Sequence, residues 1–170
     1  INCIKGNLRT YDLNEEDVMF EISKLTRNIG INSLLGALTA GATVILTDGF
    51  RHLQCVNIFD NHRVTTFTAS PAVYESFLEY LENSGTTLRC NDLRFVRTTG
   101  APLSEVLKKR IEAVFKTVVV QTYGMTETKG IACSFKSPYG YREGSAGTSI
   151  GLHIKIVNDE ILVRGDTVFP

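Results

Sequence analysis

Apolar and polar positions alternate along this chain in two rhythms. Short β-branched runs recur at Ala42–Thr47, Val64–Ala69, Arg94–Thr99 and Thr117–Thr122. Each is bounded by polar or glycine-bearing turns, and each predicts a buried strand. Between them the apolar spacing lengthens to three and four residues, which predicts helices. Pro71–Glu82 carries Val73, Phe77 and Leu81, with Tyr74 and Leu78 beside them and Glu75, Glu79 and Glu82 facing water. Ser70 stands as its N-cap and Pro71 at its first position. Ser104 caps a second helix to Lys116, whose stripe is Leu107, Ile111, Val114 and Phe115. Two more helices are expected at about 29–38 and 52–61. Strands alternating with helices of this length imply βαβ units, hence an α/β fold with a mainly parallel sheet flanked by helices. From about Gly151 the rhythm changes. Ile154–Val157, Asn158-Asp159 and Glu160–Arg164 read as a hairpin. Residues 1–150 are therefore read as the α/β part and 151–170 as the start of a β-rich, barrel-like subdomain.

Composition changes this picture only by exclusion. The 170 residues hold 18 Lys plus Arg against 18 Asp plus Glu, so no positive surplus is present for nucleic acid. The longest apolar stretch, Leu34 to Leu46, is short of the ~20 residues of a membrane span. Cys3, Cys55, Cys90 and Cys133 lie far apart, without a CxxC pair, which argues against zinc and for reduced thiols in a cytoplasmic protein. The chain opens on Ile1 and stops at Pro170, which is the expectation for a piece of a longer protein.

In a parallel sheet, ligands bind at the carboxyl ends of strands. Two predicted strand ends carry unusual loops. One is Gly100-Ala101-Pro102-Leu103, where glycine lets backbone approach a ligand and proline stiffens it. The other is Tyr123-Gly124-Met125-Thr126-Glu127-Thr128, which offers a ring for stacking, a hydroxyl for a phosphate and a carboxylate for Mg²⁺. Taken alone, both also fit ordinary strand-to-helix turns. Gly144–Gly151 lacks the G-x-x-x-x-G-K-[ST] and G-x-G-x-x-G patterns of phosphate loops. Arg164-Gly165-Asp166 is read as a chance tripeptide in a strand, and His52, His62 and His153 are scattered, with no catalytic role expected.

The order of the two loops is more telling. Leu93-Arg-Phe-Val-Arg-Thr-Thr-Gly-Ala-Pro-Leu103, a charged helix, then Gln121-Thr-Tyr-Gly-Met-Thr-Glu127 resembles the adenylate-forming superfamily of acyl-CoA synthetases, peptide-synthetase adenylation domains and firefly-type luciferases. Leu35–Leu46, Val64–Pro71, Gly144–Gly151 and Glu160–Gly165 extend the likeness, in order, over nearly the whole chain. The resemblance implies that Gly100, Ala101 and Pro102 line the adenine pocket. Gln121 and Thr122 would border the base and Tyr123 would stack on it, with Gly124 and Met125 in the same nucleotide-binding segment. Thr126 would bind the α-phosphate and Glu127 would hold Mg²⁺; these two are the catalytic candidates.

The resemblance further implies ATP and Mg²⁺ as cofactors, a carboxylic acid as substrate, and CoA or a carrier-protein thiol as acceptor. The family's Gly-rich phosphate loop has no counterpart between Ile1 and Ser33. Its ribose-binding aspartate and C-terminal lysine belong beyond Pro170. The expectation is the middle of the large N-terminal domain, inactive alone. Two rival readings share the fold: a peptide-synthetase adenylation domain and a non-catalytic nucleotide- or partner-binding module. Amino-acid-activating members place an aspartate for the substrate amine where Asn28 aligns, so an α-amino acid is disfavoured. Arg27, beside it, faces either the acyl pocket or solvent.

Overall fold

The computed structural model describes residues 2–134 and 142–169. The first helix, α1 (Asn2–Tyr11), leads to strand β1 (Val18–Glu21). Then follow α2 (Asn28–Ala40), β2 (Thr43–Leu46), α3 (His52–Asn61), β3 (Thr66–Ala69), α4 (Pro71–Ser84), β4 (Phe95–Thr99) and α5 (Glu105–Phe115). The remaining strands are β5 (Val118–Met125), β6 (Lys129–Cys133), β7 (Thr148–Ser149), β8 (His153–Val157) and β9 (Glu160–Arg164). One sheet runs β2-β1-β3-β4-β5-β6-β7, parallel from β2 to β5 and antiparallel beyond.

That strand order places the helices. The step from β1 to β2 goes outward to one edge, whereas the steps from β2 to β3 to β4 to β5 all go the other way. With right-handed crossovers, reversing direction moves the connecting helix to the other face. Accordingly α3, α4 and α5 pack on one face, against Phe20, Phe67, Val96 and Val119. On the other face α2 covers Met19, and Tyr11 of α1 covers Phe95 and Val120. The α3–α5 face is dense with rings. Phe67 lies 5.0 Å from Phe20, 5.5 Å from Phe59 and 5.4 Å from Tyr74. Phe67, Phe77 and Phe115 are 0% exposed.

Most predicted elements are present, and α3 has the predicted bounds. Three expectations are corrected. First, 42–47 is an edge strand rather than a buried one, with Thr43 and Leu46 exposed, because β1 covers only one of its sides. Second, Ser70 occupies the N-cap of α4 but its side chain makes no cap hydrogen bond, whereas Ser104 accepts one from the Leu107 amide at 3.2 Å. Third, the segment after Thr122 is not a strand-to-helix turn. β5 continues to Met125 and turns back through Thr126–Thr128 into β6, pairing Met125 with Lys129.

The sequence reading also passed over α1, β1, β6 and β7. Strand β1 is masked by its own acids. Asp17 and Glu21 bracket it, yet each is 1% exposed. Asp17 accepts from Thr65 Oγ1 at 2.6 Å and pairs with Arg94 at 2.5 Å, which makes its burial tolerable. The predicted hairpin is β8–β9, a separate two-stranded sheet turned by Asn158 and Asp159, both at positive φ.

Candidate functional site

Three helices on one face and two on the other leave the β4 and β5 carboxyl ends open on the α2 side. A cavity of about 420 Å³ forms there. Its floor is Arg97 and Thr99 of β4 with Thr122 of β5. One wall is the first turn of α2 with Thr26 and Arg27 before it, and the other is the β5–β6 hairpin. The hairpin can close this tightly only with glycine at 124. A Cβ there would stand 2.1 Å from the Lys129 carbonyl oxygen. Gly100 leaves β4 at φ +89°, a left-handed turn that carries the chain away from the strand end.

The residues singled out from sequence divide by strand periodicity. Gly100, Thr122, Gly124, Met125 and Thr126 line the cavity. Gln121 and Tyr123 alternate with Thr122 along β5 and so belong to the opposite face, with Val119. Ala101, Pro102 and Glu127 are exposed beside the strand ends and do not line the cavity. The site is thus two-sided. An exposed ledge with Tyr123, Ala101 and Pro102 lies on one side, the cavity on the other, and Gly124 and Thr126 between. Thr126 and Glu127 sit at the tip of the hairpin, which is tied to the C-terminal segment. The Phe169 amide donates to the Glu127 carbonyl at 2.8 Å, and Thr167 Oγ1 donates to the Thr128 carbonyl at 2.9 Å. Arg27 is exposed as a residue and still borders the cavity. None of the three histidines lines it; His52 instead stacks on Tyr80 at 4.7 Å.

Residues that sequence reasoning did not single out complete the cavity. Tyr11 shares a hydrogen bond with Thr122 Oγ1 at 3.0 Å, and its burial pushes the phenol above its usual range. Arg97 lies over the Tyr11 ring at 5.3 Å and donates to Ser33 Oγ at 2.9 Å. Burial works against its charge, but Tyr11 and Glu21 outweigh burial and hold the guanidinium above the usual arginine value. The signal was available, because an arginine between two buried strand residues, Val96 and Thr98, needs a reason. At the α2 N-terminus, Asn28 Oδ1 accepts from both Asn32 Nδ2 at 2.6 Å and Lys129 Nζ at 2.9 Å. With that oxygen occupied, Asn28 has only its amide N–H groups left to offer a ligand. The wall therefore suits an anion and opposes an ammonium.

No group of three or more His, Cys, Asp or Glu that could hold a metal occurs among the described residues. Glu127, a single carboxylate beside Thr126, does not by itself make a resident metal site. Cys55, Cys90 and Cys133 are buried, and burial pushes the Cys55 thiol up to about 11; the Cys3 side chain lies outside the described residues. Among the described residues no helix is long and apolar enough to cross a membrane.

Comparison with known proteins agrees with this geometry. The chain is 28% identical to the oxalate–CoA ligase of Arabidopsis thaliana over 98% of its length and 35% of that protein. It is 27% identical to the 4-coumarate–CoA ligase-like protein 5 of Oryza sativa subsp. japonica, over 81% of the chain and 26% of that protein. It thus spans about a third or less of the curated relatives it matches. Among solved structures, the O-succinylbenzoate coenzyme A synthetase of Bacillus subtilis, in complex with ATP and magnesium ion, superposes with a TM-score of 0.83 at 25% identity. The match covers 99% of this chain and 37% of that one. The family model described as "AMP-binding enzyme" matches residues 2–170, so the chain belongs to the AMP-binding enzyme family.

Proposed function

We propose that this chain is the central part of an enzyme that activates a carboxylic acid with ATP and passes the acyl group to a thiol, CoA or a carrier protein. The observation that carries the reading is one cavity, at the carboxyl ends of β4 and β5, that gathers Gly100, Thr122, Gly124 and Thr126 opposite an α2 N-terminus rich in N–H donors. In the reaction, a carboxylate oxygen of the acid attacks the α-phosphorus of ATP. The bond from that phosphorus to the bridging oxygen breaks, and pyrophosphate leaves with the electron pair. The thiol then attacks the acyl carbon, loses its proton and expels AMP.

Such chemistry is catalysed chiefly by positioning and charge neutralisation. Thr126, at the hairpin tip, donates to an α-phosphate oxygen and holds it in line with the cavity. Tyr123 offers its ring to the adenine on the ledge, with Gln121, Ala101, Pro102 and Met125 around the nucleotide. Glu127 would be the carboxylate for Mg²⁺, which when bound neutralises charge on the departing pyrophosphate. The acid sits in the cavity, with its reacting carboxylate toward Thr126. The saturated oxygen of Asn28 favours acids without an α-amino group, which sets this reading apart from an α-amino-acid adenylation domain.

The test is acid-dependent exchange of pyrophosphate into ATP by the complete protein that carries these residues. Exchange is expected there, and none is expected from the 170 residues alone, which lack a Gly-rich phosphate loop with lysine. Nucleotide binding by the complete protein without exchange for any acid would replace this reading with a binding module.

A further inference from the structure

The cavity walls carry more positive charge than one reacting carboxylate requires. Arg27, Arg97 and Lys129 all border it, and no aspartate or glutamate does among the described residues. Nor does any carboxylate lie within ion-pair distance of these three cations among the described residues. Lys129 is turned inward by Asn28 and by the ring of Phe169, 4.7 Å from its Nζ.

Arg97 is the decisive group. It stands two residues before Thr99 on β4, on the same face, and so one side-chain row, about 6–7 Å, below the strand end where Thr99 and Thr122 sit. Its guanidinium is held by Ser33 and Tyr11, and its Nε–H is buried without a partner. A buried donor of this kind is costly unless a ligand or water completes it. Glu21 helps to keep the guanidinium charged but makes no ion pair with it. It lies in the same row across the sheet but on the far side of Thr68, and its other oxygen is itself without a partner. Arginine presents its donors as a planar fork, which matches a carboxylate edge.

We propose that the acid this site activates is a short dicarboxylate: one carboxylate reacts at the strand ends near Thr126, and the second is read by Arg97 at the cavity floor, with Lys129 adding charge. This rests on the adenylation reading above and names its substrate class.

The experiment compares matched acids with the complete protein: malonate against propionate, and succinate against butyrate. In pyrophosphate exchange at saturating ATP, the diacid of at least one pair is expected to win by about tenfold to a hundredfold in kcat/KM. In Arg97→Met the diacid-to-monocarboxylate ratio of kcat/KM falls to about one, through a higher KM for the diacid. Arg97→Lys, which keeps the charge without the fork and guards against a folding failure in the first variant, retains part of the preference. Monocarboxylates preferred by the unsubstituted protein would overturn the proposal. So would an equal loss for all acids, or a raised KM for ATP with an unchanged acid ratio, which would assign Arg97 to packing or to the phosphates. If no acid supports exchange, the adenylation reading falls on its own, and calorimetric titration of the same acids without ATP still decides this one. Diacid binding lost in Arg97→Met sustains it, and binding that ignores the second carboxylate ends it.

Discussion

The two faces of the central sheet are built from the same strands to opposite ends. On the α3–α5 face, Phe20, Phe67, Val96 and Val119 meet a continuous layer of rings and aliphatic side chains. On the α1–α2 face, residues one position along three of these strands are Glu21, Thr68 and Arg97, and Thr122 lies on the same face of β5. The side-chain period of two lets neighbours in sequence live in unrelated environments. Val96 is 0% exposed in the aromatic core, and Arg97 next to it forms the floor of a polar cavity. The difference teaches that residues adjacent on one strand can serve the apolar core and the cavity separately.

The comparison can be broken most severely from the apolar face. Phe115→Ala removes a fully buried ring packed near Phe59, Phe67, Tyr74 and Phe77. A loss of about 3–5 kcal/mol is expected. Urea denaturation of the complete protein checks it, and ligand affinity of the still-folded fraction should be unaltered.

From the polar face the effect should fall on rate instead. Glu127→Gln keeps size and removes charge, and should lower single-turnover adenylation by about two to three orders of magnitude. Thr126→Ala removes one hydrogen bond and should cost about 1–3 kcal/mol of the same barrier. Both should leave the denaturation midpoint unchanged, since both residues are exposed at a hairpin tip. A lowered midpoint with normal turnover would make Glu127 a turn residue only.

A third test probes the donor wall at Asn28. An α-ammonium would meet the Lys129 ammonium and an Asn28 Oδ1 already taken by two donors. Acids lacking the α-amino group should exceed their α-amino counterparts by about a hundredfold or more in exchange, because an unpaired buried charge costs several kcal/mol. Parity would show that the substrate approaches from elsewhere. The smallest effect compares two serines. Ser104→Ala should destabilise by about 1 kcal/mol through its lost cap bond, and Ser70→Ala by only a few tenths, since its hydroxyl makes no cap bond.

The legible part of this molecule was the part with a strong period. Helices α3, α4 and α5, strands β3 and β4 and the β8–β9 hairpin follow from spacing alone, and the strand-end position of Gly100 and Thr126 follows from parallel topology. What was not legible depends on partners distant in sequence. β1 reads as polar because Asp17 and Glu21 bracket it, and only Thr65 and Arg94 explain Asp17's burial. The hairpin reads as a loop because Gly124 and Gly130 weaken any strand pattern, yet close backbone approach requires Gly124. Arg97 and Tyr11 join one cavity although 86 positions apart in numbering (97 − 11), which no local pattern announces.

The Asp17–Thr65–Arg94 latch also sets a schedule for a chain emerging from the ribosome. Asp17 precedes Thr65 by 48 residues and Arg94 by 77. At synthesis rates of about 5–20 residues per second, its guanidinium partner arrives roughly 4–15 s after it. Until then Asp17 lacks its cation and β3 lacks its neighbour β4, so β1 has little reason to settle into the sheet. The central strands must therefore assemble late, after Arg94 clears the exit tunnel, and the interval between the emergence of Asp17 and of Arg94 is when chaperone protection would matter most.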